Sequence, residues 1–210
     1  MDNEMKEHWN EVYESTEVKT LGWYEDKPTL CLRLLAKCNI EKSDPILDVG
    51  SGASTFIDCL LDEKYTNIIA TDISEEALNK LKERLGVRKA SKIKWIVDDI
   101  AKPAYVCKLE NIAVWHDRAV LHFLLKKDEI QTYFSTLKKI VRNGGYVLIA
   151  AFSLKGAKKC SGLDVKNYDS NMLIQNLGEE FHLIEALDYD YRMPSGDIRP
   201  YIYTLFQRRR

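Results

Sequence analysis

The stretch Ile46-Leu47-Asp48-Val49-Gly50-Ser51-Gly52 decides how the rest of the chain is read. Its first four residues suit a short buried strand, and the Gly-Ser-Gly after them suits a tight turn into a helix. Working outward, the alternation repeats. Residues 67–71 and 93–97 read as second and third strands, 112–115 as a fourth, and 146–152 as a fifth. The fifth is continuously apolar, as a centrally buried strand should be. Helical periods fall between them. One spans 54–61; another is capped by Ser74, with Glu75 and Glu76 in its first turn and Leu78, Leu81 and Leu85 inward. A third runs from Glu129 to about Asn143, with Asp128 and Gln131 as a capping box, Ile130, Tyr133, Phe134, Leu137, Ile140 and Val141 at apolar positions, and Gly144-Gly145 as its stop. Strands alternating with helices predict a doubly wound, mostly parallel α/β sheet.

The flanks differ from this middle. Residues 3–16 place Met5, Trp9, Val12 and Tyr13 on one helical stripe, and a loop with Gly22, Trp23 and Tyr24 follows. A second helix starting at Pro28 would bury Leu30, Leu34, Leu35 and Cys38. At the far end, a short helix over 170–177 precedes two strand-like segments, 181–189 and 201–207, around the turn residues Pro194-Ser195-Gly196-Asp197. That pair predicts an antiparallel hairpin appended to the parallel sheet. Arg208, Arg209 and Arg210 read as a frayed, solvated end.

Composition narrows the class. With 45% hydrophobic and 30% charged residues, ten Gly and five Pro, the 210 residues can fill a core, which argues against disorder. A net charge of -1 gives no electrostatic case for nucleic acid or an anionic membrane. No apolar run approaches the ~20 residues of a membrane helix, and the charged first fourteen residues are unlike a signal peptide. Five scattered cysteines without a C-x-x-C pair predict neither disulfides nor zinc, and a reducing cytoplasm as the compartment. No metal is expected.

Ligands of open parallel sheets bind beyond the carboxyl ends of the strands. Acids stand at or past that end of four successive strands: Asp48, Asp72, Asp98-Asp99 and Asp117. Gly50 and Gly52 allow close backbone approach, while Thr55 replaces the third glycine of the dinucleotide fingerprint. This disfavours a nucleotide-dependent dehydrogenase. Asp72, 22 residues after Gly50, can accept hydrogen bonds from both hydroxyls of an adenosine ribose.

These residues resemble the class I, seven-β-strand S-adenosylmethionine-dependent methyltransferases. Residues 46–52 look like the family's first motif, Asp72 like its ribose-binding acid, and Asp99 with Ile100 like its adenine contacts. Trp115-His116-Asp117-Arg118 stands where the family's fourth motif lines the transfer site, and Trp9 with Gly22-Trp23-Tyr24 looks like the lid of methyltransferase-like proteins, some of which methylate lysines. Ser54 replaces a common third glycine, and no Asn/Asp-Pro-Pro-Tyr tetrapeptide is present.

The resemblance implies one Rossmann-like domain, with a helical lid over 1–40, a seven-stranded core over 41–210 and a C-terminal antiparallel hairpin. It implies S-adenosyl-L-methionine as cofactor and S-adenosyl-L-homocysteine as product. Expected cofactor contacts are Asp48, Gly50, Ser51, Gly52, Asp72, Ile73, Asp99, Ile100, Trp23, Tyr24 and Trp115; Asp117, Arg118 and His122 are the catalytic candidates. Asp48 could equally stabilise its turn, Asp117 cap a helix, and Trp23 and Tyr24 staple the first helix to the sheet. Cys160 reads as a packed loop thiol. The acceptor is a small molecule or, alternatively, a protein lysine; a non-catalytic cofactor-binding module is a further alternative.

Overall fold

The computed structural model describes residues 2–209, with side chains from Glu4 onward; Met1 and Arg210 lie outside the described residues. In chain order the elements are α1 (Asp2–Ser15), α2 (Thr29–Leu35), β1 (Ile46–Val49), α3 (Phe56–Asp62), β2 (Ile68–Asp72), α4 (Glu75–Ala90), β3 (Ile93–Val97), β4 (Ile112–Arg118), α5 (Lys127–Ile140) and β5 (Val141–Phe152). A two-residue pair, β6 (Lys159–Cys160) and β7 (Leu163–Asp164), leads to α6 (Ser170–Leu177), β8 (Phe181–Arg192) and β9 (Ile198–Arg208). The main sheet has seven strands in the order β3-β2-β1-β4-β5-β9-β8. Strands β1 to β5 are mutually parallel, whereas β9 runs antiparallel to both β5 and β8. The expected doubly wound sheet with its terminal hairpin is present.

Alternation along each strand sends side chains to opposite faces, and each face has its own core. Leu47, Val49, Trp115, Val147 and Ile149 meet α5 and α6 through Tyr133, Leu137 and Leu173. Ile46, Val114, Leu148 and Ala150 meet α2, α3 and α4 through Leu34, Phe56, Leu60 and Leu78. The second predicted helix is thus buried against the sheet, with Pro28 directly before it. A third, smaller cluster joins α1 to α4: Tyr13, Leu21, Ala53 and Ala77, flanked by Trp9, Val12 and Trp23.

Several local readings change. Helix α5 starts at Lys127, and Glu129 accepts from the Lys126 backbone N–H at 3.3 Å; Lys126 has no side-chain acceptor, so this one contact, two residues earlier than Asp128 and Gln131, stands where a capping box was expected. It ends at Ile140, and Gly144-Gly145 lie inside β5 rather than at the helix end. There the register against β4 shifts, and a Cβ on Gly145 would meet the Arg142 carbonyl oxygen at 2.9 Å, so the glycines serve a bulge. Strand β4 continues past Trp115 to Arg118. Arg208 is anchored rather than frayed, donating to the Lys138 and Val141 carbonyls and pairing with Glu180 at 2.8 Å. Among the described residues no helix is long and apolar enough to cross a membrane.

Candidate functional site

The strand order reverses between β1 and β4, whose carboxyl ends open a crevice. Two connected hollows occupy it. The main cleft is lined by Gly50, Asp72, Ile73, Asp99 and Ile100 from the strand ends, and by Met5, Trp9, Tyr13, Trp23 and Phe123 above them. An inner pocket shares Tyr13, Trp23, Gly50 and Arg118 with it and adds Tyr24, Glu25, Asp48 and Ser51.

Chain geometry explains the floor. Gly50 and Gly52 have φ of 62° and 50°, the left-handed region that favours glycine. A Cβ on Gly50 would lie 1.9 Å from Val120 Cγ2, and one on Gly52 2.2 Å from the Tyr13 hydroxyl. Asp72 receives the Gly52 N–H on Oδ2 and the Ser74 N–H on Oδ1, each at 2.8 Å, so it braces both loops. Burial raises its pKa to about 6, although these amides pull the other way. Each oxygen retains acceptor capacity for a ligand hydroxyl.

Asp48 and His116 face each other across β1 and β4, both almost fully buried. The imidazole Nδ1 lies 2.5 Å from Asp48 Oδ1, and Phe56 stacks on the ring at a centroid distance of 3.9 Å. Burial pulls His116 down, but neighbouring Cys31 and Asp48 outweigh it and raise its pKa to about 10. Asp48 Oδ2 is buried with no hydrogen-bond partner among the described residues.

Arg118 joins separate segments. It donates to the Trp23 carbonyl at 2.7 Å and the Tyr203 hydroxyl at 3.0 Å, pairs with Glu25 at 3.0 Å, and sits against the Tyr191 and Tyr201 rings. Its Nη2 is buried without a partner. Glu25 has a raised pKa because burial outweighs the pull of Arg118. Two residues that line the inner pocket thus carry, among the described residues, a buried orphan acceptor and a buried orphan donor of opposite charge.

Three expected site residues lie elsewhere. Trp115 is wholly buried in the core toward α5, its indole N–H donating to the Tyr133 hydroxyl at 3.0 Å. Asp117 is also wholly buried: it accepts from Tyr133 Oη at 2.6 Å and from the Val120 and Leu121 amides at 2.9 and 3.1 Å. It caps the turn after β4 and lines neither hollow. His122 packs among Phe123, Phe152 and Tyr201, and its Nδ1 accepts from the Phe152 N–H at 3.3 Å. Burial, reinforced by Arg118 and Arg199, lowers its pKa to about 3, so it is neutral. Of the acid pair after β3, Asp99 lines the cleft with Asp98, whose carboxylate also receives three loop N–H groups from Ala104, Tyr105 and Val106. Sequence reading missed Tyr13 and Glu25 as site residues; the stripe of α1 contained the first, while nothing local marked the second.

The comparisons with known proteins agree with this architecture. Residues 46–145 match the family described as a methyltransferase domain. EEF1A lysine methyltransferase 2 of Mus musculus is 25% identical over 196 residues, covering 87% of this chain and 73% of that protein. Among solved structures, a SAM-dependent methyltransferase from Anabaena variabilis superposes with a TM-score of 0.77 at 12% identity, covering 99% of this chain and 95% of that one. The N-methyltransferase NodS from Bradyrhizobium japonicum, in complex with S-adenosylhomocysteine, gives 0.70 at 16% identity over 96% and 98%. With the glycine loop, strand-end acids and seven-stranded sheet, the chain carries a methyltransferase domain over residues 46–145 and has the fold of the class I S-adenosylmethionine-dependent methyltransferases.

Proposed function

We propose that the protein methylates a small anionic molecule held in an outer cleft beside the cofactor site. In this reading Asp72 holds the ribose of the cofactor, Asp99 and Ile100 its adenine, and Gly50 to Gly52 the turn beneath. Asp48 accepts from its ammonium, and Arg118 Nη2 donates to its carboxylate. The bound cofactor supplies an electrophilic methyl group on a sulfonium. The chain's part is to align the acceptor and exclude water. Residues 5–25 perform the second task as a lid, with Tyr13, Trp9 and Trp23 over the cleft.

The outer cleft carries the acceptor assignment. It shares Trp23 and Cys160 with the main cleft and is walled by Phe152, Tyr201, His8 and Arg199. Arg199 is half-buried over the Phe152 ring and forms no ion pair among the described residues. Lys155, Lys158 and Lys159 lie on the adjoining segment. Glu11 stands in the same lining, so the walls are mixed in charge, and Arg199 is the group that favours an anionic acceptor over a lysine ammonium. With Asp117 and His122 enclosed, neither expected base lines the outer cleft, which suits an acceptor that arrives unprotonated at the reacting atom. Burial pushes the Cys160 thiol up to about 11, so it serves as wall rather than nucleophile.

A protein lysine is the second reading, supported by the mouse relative. Incubation of methyl-labelled cofactor with the protein and cell lysate, with Asp72→Ala as control, separates the two by molecular size. Label in small, anion-exchanger-retained products, absent from the control, supports the proposal. Label in protein supports the lysine reading and contradicts it.

A further inference from the structure

The geometry points to His116 as a positioning residue that aims the Asp48 carboxylate at the amino-acid end of the cofactor. The inference rests on the cofactor reading of Asp48 just given. His116 lines neither hollow of the crevice, so it acts through another group. Among the described residues its hydrogen-bonded reach toward the site is the 2.5 Å contact from Nδ1 to Asp48 Oδ1.

An aspartate on a strand can turn about its terminal torsion and present either oxygen. Here one oxygen is held by the imidazole, and the other lies buried, partnerless, in a residue that lines the inner pocket. The imidazole is itself fixed. Backbone pairing of β1 with β4 sets Asp48 opposite His116, and Phe56 at the first turn of α3 stacks on the ring. A donor locked by sheet register and stacking thus leaves Asp48 with one free acceptor direction. An orphan buried carboxylate oxygen is costly, and a ligand cation satisfies it. The opposite charge stands in the same pocket as the partnerless Nη2 of Arg118.

The test uses two ligands that differ only at the end in question: S-adenosylhomocysteine and 5′-methylthioadenosine, which lacks the amino acid. Affinities are measured by calorimetry for the full chain and for His116→Leu, His116→Asn and Asp48→Asn, each checked for cooperative unfolding above the assay temperature. Loss of an aimed, charge-assisted contact predicts that His116→Leu weakens S-adenosylhomocysteine by about tenfold or more. Methylthioadenosine affinity should stay within about threefold, since its contacts lie at Asp72 and Asp99. His116→Asn, whose amide can donate from near the Nδ1 position, should recover most of the loss. Equal weakening of both ligands in His116→Leu, or no weakening of either, overturns the inference. If Asp48→Asn leaves S-adenosylhomocysteine binding unchanged, the reading of Asp48 fails first, which separates that failure from one at His116. If the leucine variant does not fold, His116→Ala replaces it under the same criteria: selective weakening of S-adenosylhomocysteine supports the positioning role, and parallel loss of both ligands or no loss of either overturns it.

Discussion

At the scale of single residues, the acids at the strand ends divide into those that face a ligand and those that hold the chain. Asp117 belongs to the second group, because three donors already occupy its carboxylate. Asp117→Asn places an amide where the Val120 and Leu121 N–H groups point and should cost about 1–3 kcal/mol of stability. Urea unfolding would show this, while methyl transfer by the folded fraction stays within a few-fold of the parent; a selective collapse of turnover in a fully stable variant would restore Asp117 to the chemistry. Gly52→Ala must move Tyr13 and adopt a strained φ, so cofactor affinity should fall by about tenfold or more, read by calorimetry. The glycine loop and Asp72 were legible because the turn and the strand-end position announce their backbone roles. Trp115 and His122 were not, and Asp117 was legible as a cap but not as the partner of Tyr133. Period two says that Trp115 and Asp117 share a face, but not that Tyr133, sixteen residues beyond Asp117, closes it.

At the scale of elements, α1 is the part whose role depends most on distant contacts. Its stripe predicts a helix, yet the surface it covers is supplied by residues far along the chain. Tyr13 lies over Gly52, Asn10 accepts from the Ser74 hydroxyl at 2.7 Å, and Trp9 meets Phe123 edge-on. No local pattern encodes such a meeting, whereas the strands and the helices between them follow from local periodicity. Because α1 roofs the main cleft, loosening it should speed ligand escape more than it slows capture. Tyr13→Ala removes the hydroxyl that accepts from Trp23 Nε1 at 3.2 Å and the ring beneath it. Stopped-flow fluorescence should show S-adenosylhomocysteine leaving about tenfold faster; an unchanged off-rate would mean that α1 does not retain the ligand.

At the scale of the whole molecule, two cores clamp one sheet, and the hairpin β8–β9 extends it past β5 so that Tyr191, Tyr201 and Tyr203 enclose Arg118. His122 lies at the same junction and links stability to pH. Its folded pKa, about 3, is below its ordinary value of 6.5 because burial disfavours the charged form. The unfolded chain therefore binds the proton first as pH falls. This contribution to stability is complete above about pH 6.5 and is lost progressively toward pH 3. His122→Phe should be the less stable protein at pH 7.5, by about 1 kcal/mol for the lost Phe152 hydrogen bond. The gap should close and then reverse as pH falls toward 4, where the parent has lost roughly 3 kcal/mol by linkage, and a gap independent of pH would contradict a buried neutral imidazole.

The central claim is that the crevice between β1 and β4 binds S-adenosylmethionine through Asp72. Calorimetric titration of S-adenosylhomocysteine into the parent protein and into Asp72→Ala, each shown to be folded by circular dichroism, addresses it directly. The account predicts one site per chain in the parent, and affinity weakened by roughly a hundredfold or beyond detection in the variant, as loss of two charge-assisted contacts to the ribose requires. Equal affinity in the two proteins would contradict it.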